Sequence, residues 1–239
     1  MAPFHYQTRV CYTDIDEKQC LTLSSAMRSM QEAAVMDSDR AGYSFRTADR
    51  TRVVWMLAQW HVRMLEKVQW DEFIRVITWP KSMDKVTSTR CFQILNQQEQ
   101  VIAIAESLWF LVNVDTGRVA RIQKEVADSY ELVNTDVFDS PSPAISTEIG
   151  ELTYSGSVLR RDIDTNHHVN NLVYLEYARE ALPLEEADRS FSEVVVRYHR
   201  QLVHGDEFQC YYKKTSQGHL VQICKGNPAL IHCSVLFVE

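Results

Sequence analysis

Val10-Cys11-Tyr12-Thr13-Asp14-Ile15-Asp16 and Val158-Leu159-Arg160-Arg161-Asp162-Ile163-Asp164 share one pattern, 148 residues apart. Continued without a gap, the same offset sets Glu32-Ala33 on Glu180-Ala181. Farther along the offset shrinks. Trp60-His61 meets Tyr198-His199 at 138, and Asp71-Glu72-Phe73 meets Asp206-Glu207-Phe208 at 135. Their common order predicts an internal duplication whose second copy has lost loop residues after its helix. Two copies of a helix-and-strands unit predict a tandem α+β architecture.

Around these anchors the hydrophobic periodicity fills in the elements. Residues 22–38 place Leu23, Ala26, Met27, Met30, Ala33 and Ala34 at i, i+3, i+4 spacing, which predicts a helix. Thr22 or Ser24 would cap it, and Gly42 would stop it. A second helix is predicted over 170–182, with Leu172, Leu175, Ala178, Ala181 and Leu182 on one side and Pro183 as its end. Strands are predicted over 52–65, 72–80, 85–96 and 100–114, then over 157–161, 192–203, 207–215, 219–225 and 229–238. Asp115-Thr116-Gly117 reads as a turn. Residues 136–148 carry two Pro, three Ser and one Thr without periodicity, which reads as a linker. The expected domains are therefore 1–135 and 151–239, joined by 136–150.

The chain has 239 residues, 45% hydrophobic and 24% charged, ordinary for a globular protein and unlike a disordered one. The formal net charge is −7, against a general nucleic-acid binder. No apolar run approaches the roughly 18 residues of a membrane helix. The opening Met1-Ala-Pro-Phe-His-Tyr has no basic segment before an apolar stretch, so no secretory leader is expected. Cys11, Cys20, Cys91, Cys210, Cys224 and Cys233 form no Cys-x-x-Cys pair, and reduced thiols in the cytoplasm are expected.

Residues shared by two copies report folding, so chemistry is sought where the copies differ. After Asp16 the first copy reads Glu-Lys-Gln-Cys; after Asp164 the second reads Thr-Asn166-His167-His168. Only the second sets a carboxylate, a carboxamide and an imidazole at i, i+2, i+4. They fall just before an expected helix start, whose free N–H groups can hold a developing oxyanion. Asp164 can accept a proton or orient water, and His168 can serve as acid or base near neutral pH. Asn166 can hold a carbonyl or the attacking water. This set suits acyl transfer to water. Asn166, Asn170 and Asn171 serve equally well as helix caps. No spacing completes a familiar metal site around His167-His168, and there is no Gly-x-Ser-x-Gly or phosphate loop.

Arg160-Arg161-Asp162-Ile163-Asp164-Thr165-Asn166-His167-His168-Val169-Asn170-Asn171, followed by Tyr174 and Glu180, resembles the signature of the acyl-ACP thioesterases of plants and bacteria. Trp109-Phe-Leu-Val-Asn-Val-Asp115-Thr116-Gly117-Arg118 and Tyr12-Thr13-Asp14 resemble two further stretches of that family, so the likeness spans nearly the whole chain. The resemblance implies a double hotdog, each half a curved antiparallel sheet around a long helix. It implies hydrolysis of fatty acyl-ACP to free fatty acid and ACP, with Asp164, Asn166 and His168 as catalytic residues in the C-terminal half. The acyl chain would lie in the N-terminal half. Asn170, Asn171, Arg160 and Arg161 are the expected substrate contacts, and no metal or organic cofactor is implied.

One departure bears on mechanism. The better-known plant members carry Glu-Cys after a Tyr-x-Arg; here Tyr198-His199-Arg200 precedes Gln201-Leu202. Leu202 cannot be a nucleophile, and Gln201 can position water but cannot take a proton. Asp164 is then expected to act as base or as nucleophile through a mixed anhydride. ACP is acidic, so docking on this acidic chain needs local basic residues, Arg160-Arg161 or Arg40, Arg46, Arg50 and Arg52. Trp55, Trp60, Trp79 and Trp109 read as core or as pocket lining. An acyl-CoA thioesterase and a non-catalytic acyl- or ACP-binding protein are the alternatives, as a monomer or a homodimer.

Overall fold

The computed structural model describes residues 3–187, 189–228 and 230–239. Met1 and Ala2, in the opening stretch, and Ala229, the expected start of the last strand, lie outside the described residues. The chain divides into two compact units between Pro141 and Ser142.

The first unit contains strand β1 (Phe4–Arg9), helix α1 (Leu23–Arg40), the short helix α2 (Ala48–Thr51), strands β2 (Val53–Met64), β3 (Phe73–Met83), β4 (Thr87–Leu95) and β5 (Val101–Asn113), and the short helix α3 (Lys124–Asp128). Its strands pair antiparallel in the order β1-β3-β4-β5-β2. Thr22 starts α1 by accepting the Ser25 N–H at 3.1 Å, and Ala41 closes it on the Asp37 carbonyl. Gly42, at φ +83, leaves the helix in a conformation an L side chain resists. The buried stripe runs Ala26, Met27, Met30, Ala33, Ala34. Met27 and Met30 are wholly enclosed, each contributing about 1.5–3 kcal/mol by burial. Asp37 ends the stripe and meets Arg90 of β4 at 2.9 Å, both buried.

The second unit contains β6 (Glu151–Ser157), α4 (Val173–Glu180), α5 (Leu184–Ala187), β7 (Glu193–Tyr198), β8 (Glu207–Thr215), β9 (Gly218–Cys224) and β10 (Ile231–Val238). Its antiparallel order is β6-β8-β9-β10-β7, the order of the first unit repeated. Residues 136–150 hold no helix or strand but are tied down. In the first unit Phe138 stacks on His61 with centroids 3.8 Å apart. In the second, Ile145 packs on Val195, Leu220 and Leu236, and Gln222 donates to the Ser146 carbonyl at 3.2 Å.

Several expectations need correction. Strand register sets the late offset at 134. Arg9 faces Phe73 where Ser157 faces Glu207, and Val62 faces Ala105 where Val196 faces Val235. Asp71-Glu72-Phe73 therefore matches a stretch one residue earlier than its letters suggested, and Trp60-His61 matches Val194-Val195 rather than Tyr198-His199. Of the strand expected over 157–161 only Ser157, the end of β6, is in a strand. Val158 gives its N–H to the Asp206 carbonyl, and Arg160–Asp162 curls into a 3-10 turn. The strand expected over 192–203 ends at Tyr198, where His199 and Arg200 both donate to the His232 carbonyl. The second helix spans Val173–Glu180, not 170–182, and at eight residues is not long. Edge strands β1 and β6 escaped the periodicity.

Candidate active site

The polar set lies on a tight hairpin, not at a helix start. Ile163 bridges Val169, Asp164 gives its N–H to the His168 carbonyl at 2.9 Å, and His167 gives its N–H to the Asp164 carbonyl at 3.1 Å. His167 turns the chain at φ +62, left-handed and uncommon for a residue with a Cβ. Asp164 Oδ1 accepts the Asn166 N–H at 2.8 Å, an Asx turn that organises the loop from its own side chain. The frame closes where Asn170 donates to the Asp162 carbonyl at 2.8 Å and Val169 to the Leu202 carbonyl at 2.9 Å.

The first unit builds the same hairpin. Ile15 bridges Leu21, Asp16 donates to Cys20 and Gln19 to Asp16, both at 2.9 Å, and Gln19 takes φ 61. Thr22 donates to Asp14 and Leu21 to Val68. Asp16 Oδ1 accepts two amides, Lys18 and Cys20, at 2.9 Å each. Among the described residues Asp164 Oδ1 accepts one, from Asn166. The shared backbone is a folding device. The second copy alone loads it with Asn166 and His168 and leaves its carboxylate less committed.

Asp164 and His168 are half-buried, and Asn166 is exposed. His168 Nδ1 is enclosed and has no hydrogen-bond partner among the described residues. The expected oxyanion donors at the helix start are otherwise engaged. Asn170 takes the Leu172 N–H on Oδ1 at 3.0 Å and the Val173 N–H on its carbonyl at 2.9 Å, so α4 begins beyond a self-capped turn. Asn171 is half-buried, and its carbonyl accepts the Tyr198 hydroxyl at 2.9 Å. The Val169–Leu202 bond brings Gln201-Leu202 alongside the hairpin. Gln201 is exposed and Leu202 fully buried. Arg160 and Arg161 are exposed on the turn that enters the hairpin, beside Leu159, itself 46% exposed. Among the described residues no three His, Cys, Asp or Glu converge as metal ligands.

Sequence reasoning passed over Asp162, Tyr177 and Tyr198. Asp162 is 8% exposed, and its carboxylate holds the Leu159 N–H at 2.8 Å and the Tyr177 hydroxyl at 2.7 Å. Burial pushes the Tyr174, Tyr177 and Tyr198 phenols above their ordinary range, with the Asp162 charge adding to it at Tyr177. Burial lowers His199 and His232. The available signal was the difference between copies, since the three tyrosines have no tyrosine counterparts in the first.

A tandem of two like-ordered helix-and-sheet units, the second loading a shared hairpin with Asp, Asn and His, defines a duplicated α+β protein with one acyl-transfer candidate site. The "Acyl-ACP thioesterase N-terminal domain" profile matches residues 2–130, and the "Acyl-ACP thioesterase C-terminal domain" profile matches 150–227. The chain belongs to the acyl-ACP thioesterase family. Oleoyl-acyl carrier protein thioesterase 2, chloroplastic, of Arabidopsis thaliana is 24% identical over 209 residues, 78% of this chain and 56% of that protein. The palmitoyl-acyl carrier protein thioesterase of Cuphea hookeriana is 24% identical over 205 residues, 79% of this chain and 49% of that protein. The chain thus spans about half the length of these relatives. Among solved structures, an acyl-ACP thioesterase from Bacteroides thetaiotaomicron matches with TM-score 0.85 at 20% identity, covering 99% of this chain and 97% of that one. The 12:0-ACP thioesterase from Umbellularia californica matches with TM-score 0.80 at 17% identity, covering 98% and 95%. These likenesses show the fold, a double hotdog of class α+β.

Proposed function

We propose that this chain hydrolyses the thioester of fatty acyl-ACP, releasing free fatty acid and ACP and so ending fatty acid synthesis. The observation that carries the reading is the hairpin built twice on one backbone and furnished with Asp164, Asn166 and His168 only in the second unit. Water adds its oxygen to the thioester carbonyl carbon, the carbon–sulfur bond breaks, and the leaving thiolate takes a proton. Asp164, whose carboxylate keeps one oxygen clear of the Asx turn, removes the proton from water. Alternatively it attacks the carbonyl itself and is freed by water from the resulting mixed anhydride. His168 delivers the proton to sulfur. Among the described residues its Nδ1 meets no hydrogen-bond partner, so none of them fixes the tautomer of the ring. Asn166 holds the carbonyl oxygen, and Gln201 positions water without taking its proton.

Asn170 and Asn171 flank the bound acyl-phosphopantetheine. Arg160 and Arg161, exposed beside Leu159, meet the acidic carrier. The acyl chain lies in the first domain, residues 1–135, joined by 136–150 to the catalytic domain, 151–239. Six unpaired cysteines, five of them buried, favour a reducing compartment, which we take to be the cytoplasm. Among the described residues no helix is long and apolar enough to cross a membrane.

Gln201, in place of a carboxylate, supports a second reading, a non-catalytic acyl- or ACP-binding protein. Thiol release from a panel of acyl-ACPs and acyl-CoAs, for wild type and Asp164→Ala, tests both. Turnover on acyl-ACP that collapses in Asp164→Ala is expected. Equal rates on acyl-CoA would reassign the substrate, and binding without turnover would establish the second reading.

A further inference from the structure

Three tyrosines of the second unit reach three separate points of the frame around the hairpin. The Tyr177 hydroxyl donates to Asp162 Oδ2 at 2.7 Å, on the turn that enters it. The Tyr198 hydroxyl donates to the Asn171 carbonyl at 2.9 Å, where the chain leaves it. The Tyr174 hydroxyl accepts the Leu202 N–H at 2.8 Å, on the segment paired with it. The rings hold one another. Tyr174 stands edge-on to Tyr177 and to Tyr198, with centroids 6.3 Å and 5.8 Å away, and Tyr177 stacks on Phe208 at 4.2 Å.

The first unit folds the same hairpin without any of this. The positions 148 residues before Tyr174 and Tyr177 are Ala26 and Ser29, and strand register sets Met64 opposite Tyr198 in the comparison. Asp14, the counterpart of Asp162, is held instead by Arg28 at 3.0 Å, a side chain 57% exposed. An exposed ion pair of that kind contributes about 0–1 kcal/mol and tolerates several geometries. Tyr174 is buried and Tyr177 and Tyr198 half-buried, and a phenol packed by neighbouring rings has few torsions left to redirect its hydroxyl. The tyrosines are therefore not what lets the hairpin form. They are present where it bears Asp164, Asn166 and His168.

We infer that Tyr174, Tyr177 and Tyr198 are positioning residues, a clamp that holds the Asp164–His168 hairpin and the Gln201-Leu202 segment in a single geometry. The inference rests on the thioesterase reading above. A catalytic group displaced by about 1 Å can lose about 100-fold in rate, which is what a clamp prevents. The Tyr177 and Tyr198 phenols, pushed above their ordinary range chiefly by burial, keep their protons at neutral pH and go on donating.

Tyr174→Phe, Tyr177→Phe and Tyr198→Phe each remove one oxygen and keep the ring. Each is expected to lower kcat on acyl-ACP by about 10–100-fold with little change in KM. Amide hydrogen exchange at Asp164, His167 and Val169 is expected to quicken about tenfold or more, with β4 and β5 unchanged. Tyr154→Phe, whose ring packs on the same Phe208, is expected to move neither. Variants that lose melting temperature yet keep wild-type kcat, or that leave hairpin exchange unaltered, would overturn the clamp. Should one variant fail to fold, the other two carry the test. A wild type that releases no thiol from any acyl-ACP would remove the thioesterase reading, while hairpin exchange would still decide whether the tyrosines order it.

Discussion

Val169 donates its backbone N–H to the carbonyl of Leu202 at 2.9 Å, and the first unit repeats the bond from Leu21 to Val68 at 2.8 Å. The contact belongs to the architecture of both units and is indifferent to the side chain at 202. That side chain is fully buried, and its own N–H goes to Tyr174. A thiol introduced as Leu202→Cys would be enclosed much as Cys210 is, whose burial raises it to about 12. Such a thiol is mostly un-ionised near neutral pH. Leu202→Cys is expected to gain no alkylation by iodoacetamide in the native state and no rate on acyl-ACP. A rise in kcat that alkylation abolishes would contradict this.

Asp164 distinguishes two routes by where solvent oxygen ends. If it is the base, Asp164→Asn lowers kcat about 100- to 10,000-fold, and single turnover in oxygen-18 water labels only the fatty acid. If it is the nucleophile and water opens the anhydride at the Asp164 carbon, the label enters the Asp164 carboxylate, as peptide mass spectrometry would read. Asp164→Asn with unaltered kcat would exclude both.

Asp37 and Arg90 form a buried ion pair between α1 and β4, reinforced by Thr78 at 3.2 Å and by Arg40, which reaches Asp37 at 2.6 Å. Removing Asp37 strands the Arg90 charge in the core, whereas removing Arg90 leaves Asp37 paired with Arg40. Asp37→Leu should cost about 3–5 kcal/mol in urea unfolding and Arg90→Met less, with the double variant costing much less than their sum. Additive losses would mean that the pair is not coupled.

The fold of the first unit was largely legible. Its central strands combine apolar alternation with clear turns, and α1 has a cap, a stripe and a stop. Strands β1 and β6 were not, because each lies at a sheet edge with a polar face and is defined by its pairing with β3 or β8. The false match of Tyr198-His199 to Trp60-His61 arose because similar letters outranked register, and register is a long-range property. In the candidate site, the i, i+2, i+4 spacing singled out Asp164, Asn166 and His168 but set them before a helix start, where the structure has a hairpin. Asn170 caps its own turn, which spacing does not reveal. The tyrosine hydroxyls bond mainly to backbone atoms, which no side-chain pattern encodes.

Five of the six cysteines are buried and Cys11 is exposed. Burial raises the Cys91 thiol to about 12 and Cys224 to about 11. At about pH 8 such thiols present well under one per cent thiolate. A dithiobis(nitrobenzoate) assay should therefore titrate one thiol quickly in the native protein and all six in urea. Cys11→Ser should abolish the fast phase. A second fast thiol would show that a buried strand opens on that timescale.

Glu239 gives a pH prediction with a fixed sign. Hydrogen bonds from Lys214, then Arg189 and His219, lower its carboxyl from 4.5 to about 2. The contacts are 2.7 Å to Lys214, 2.5 Å to Arg189 and 3.3 Å to His219. The folded state therefore binds this proton more weakly than the unfolded chain does. Its contribution is fully present above about pH 4.5, declines as pH falls, and is gone below about 2. Wild type and Glu239→Gln should differ in urea midpoint at neutral pH and converge across that window. Because the carboxylate is solvent-accessible, salt should shrink the difference at neutral pH. A gap that persists unchanged to the acid end would assign the effect to packing rather than to charge.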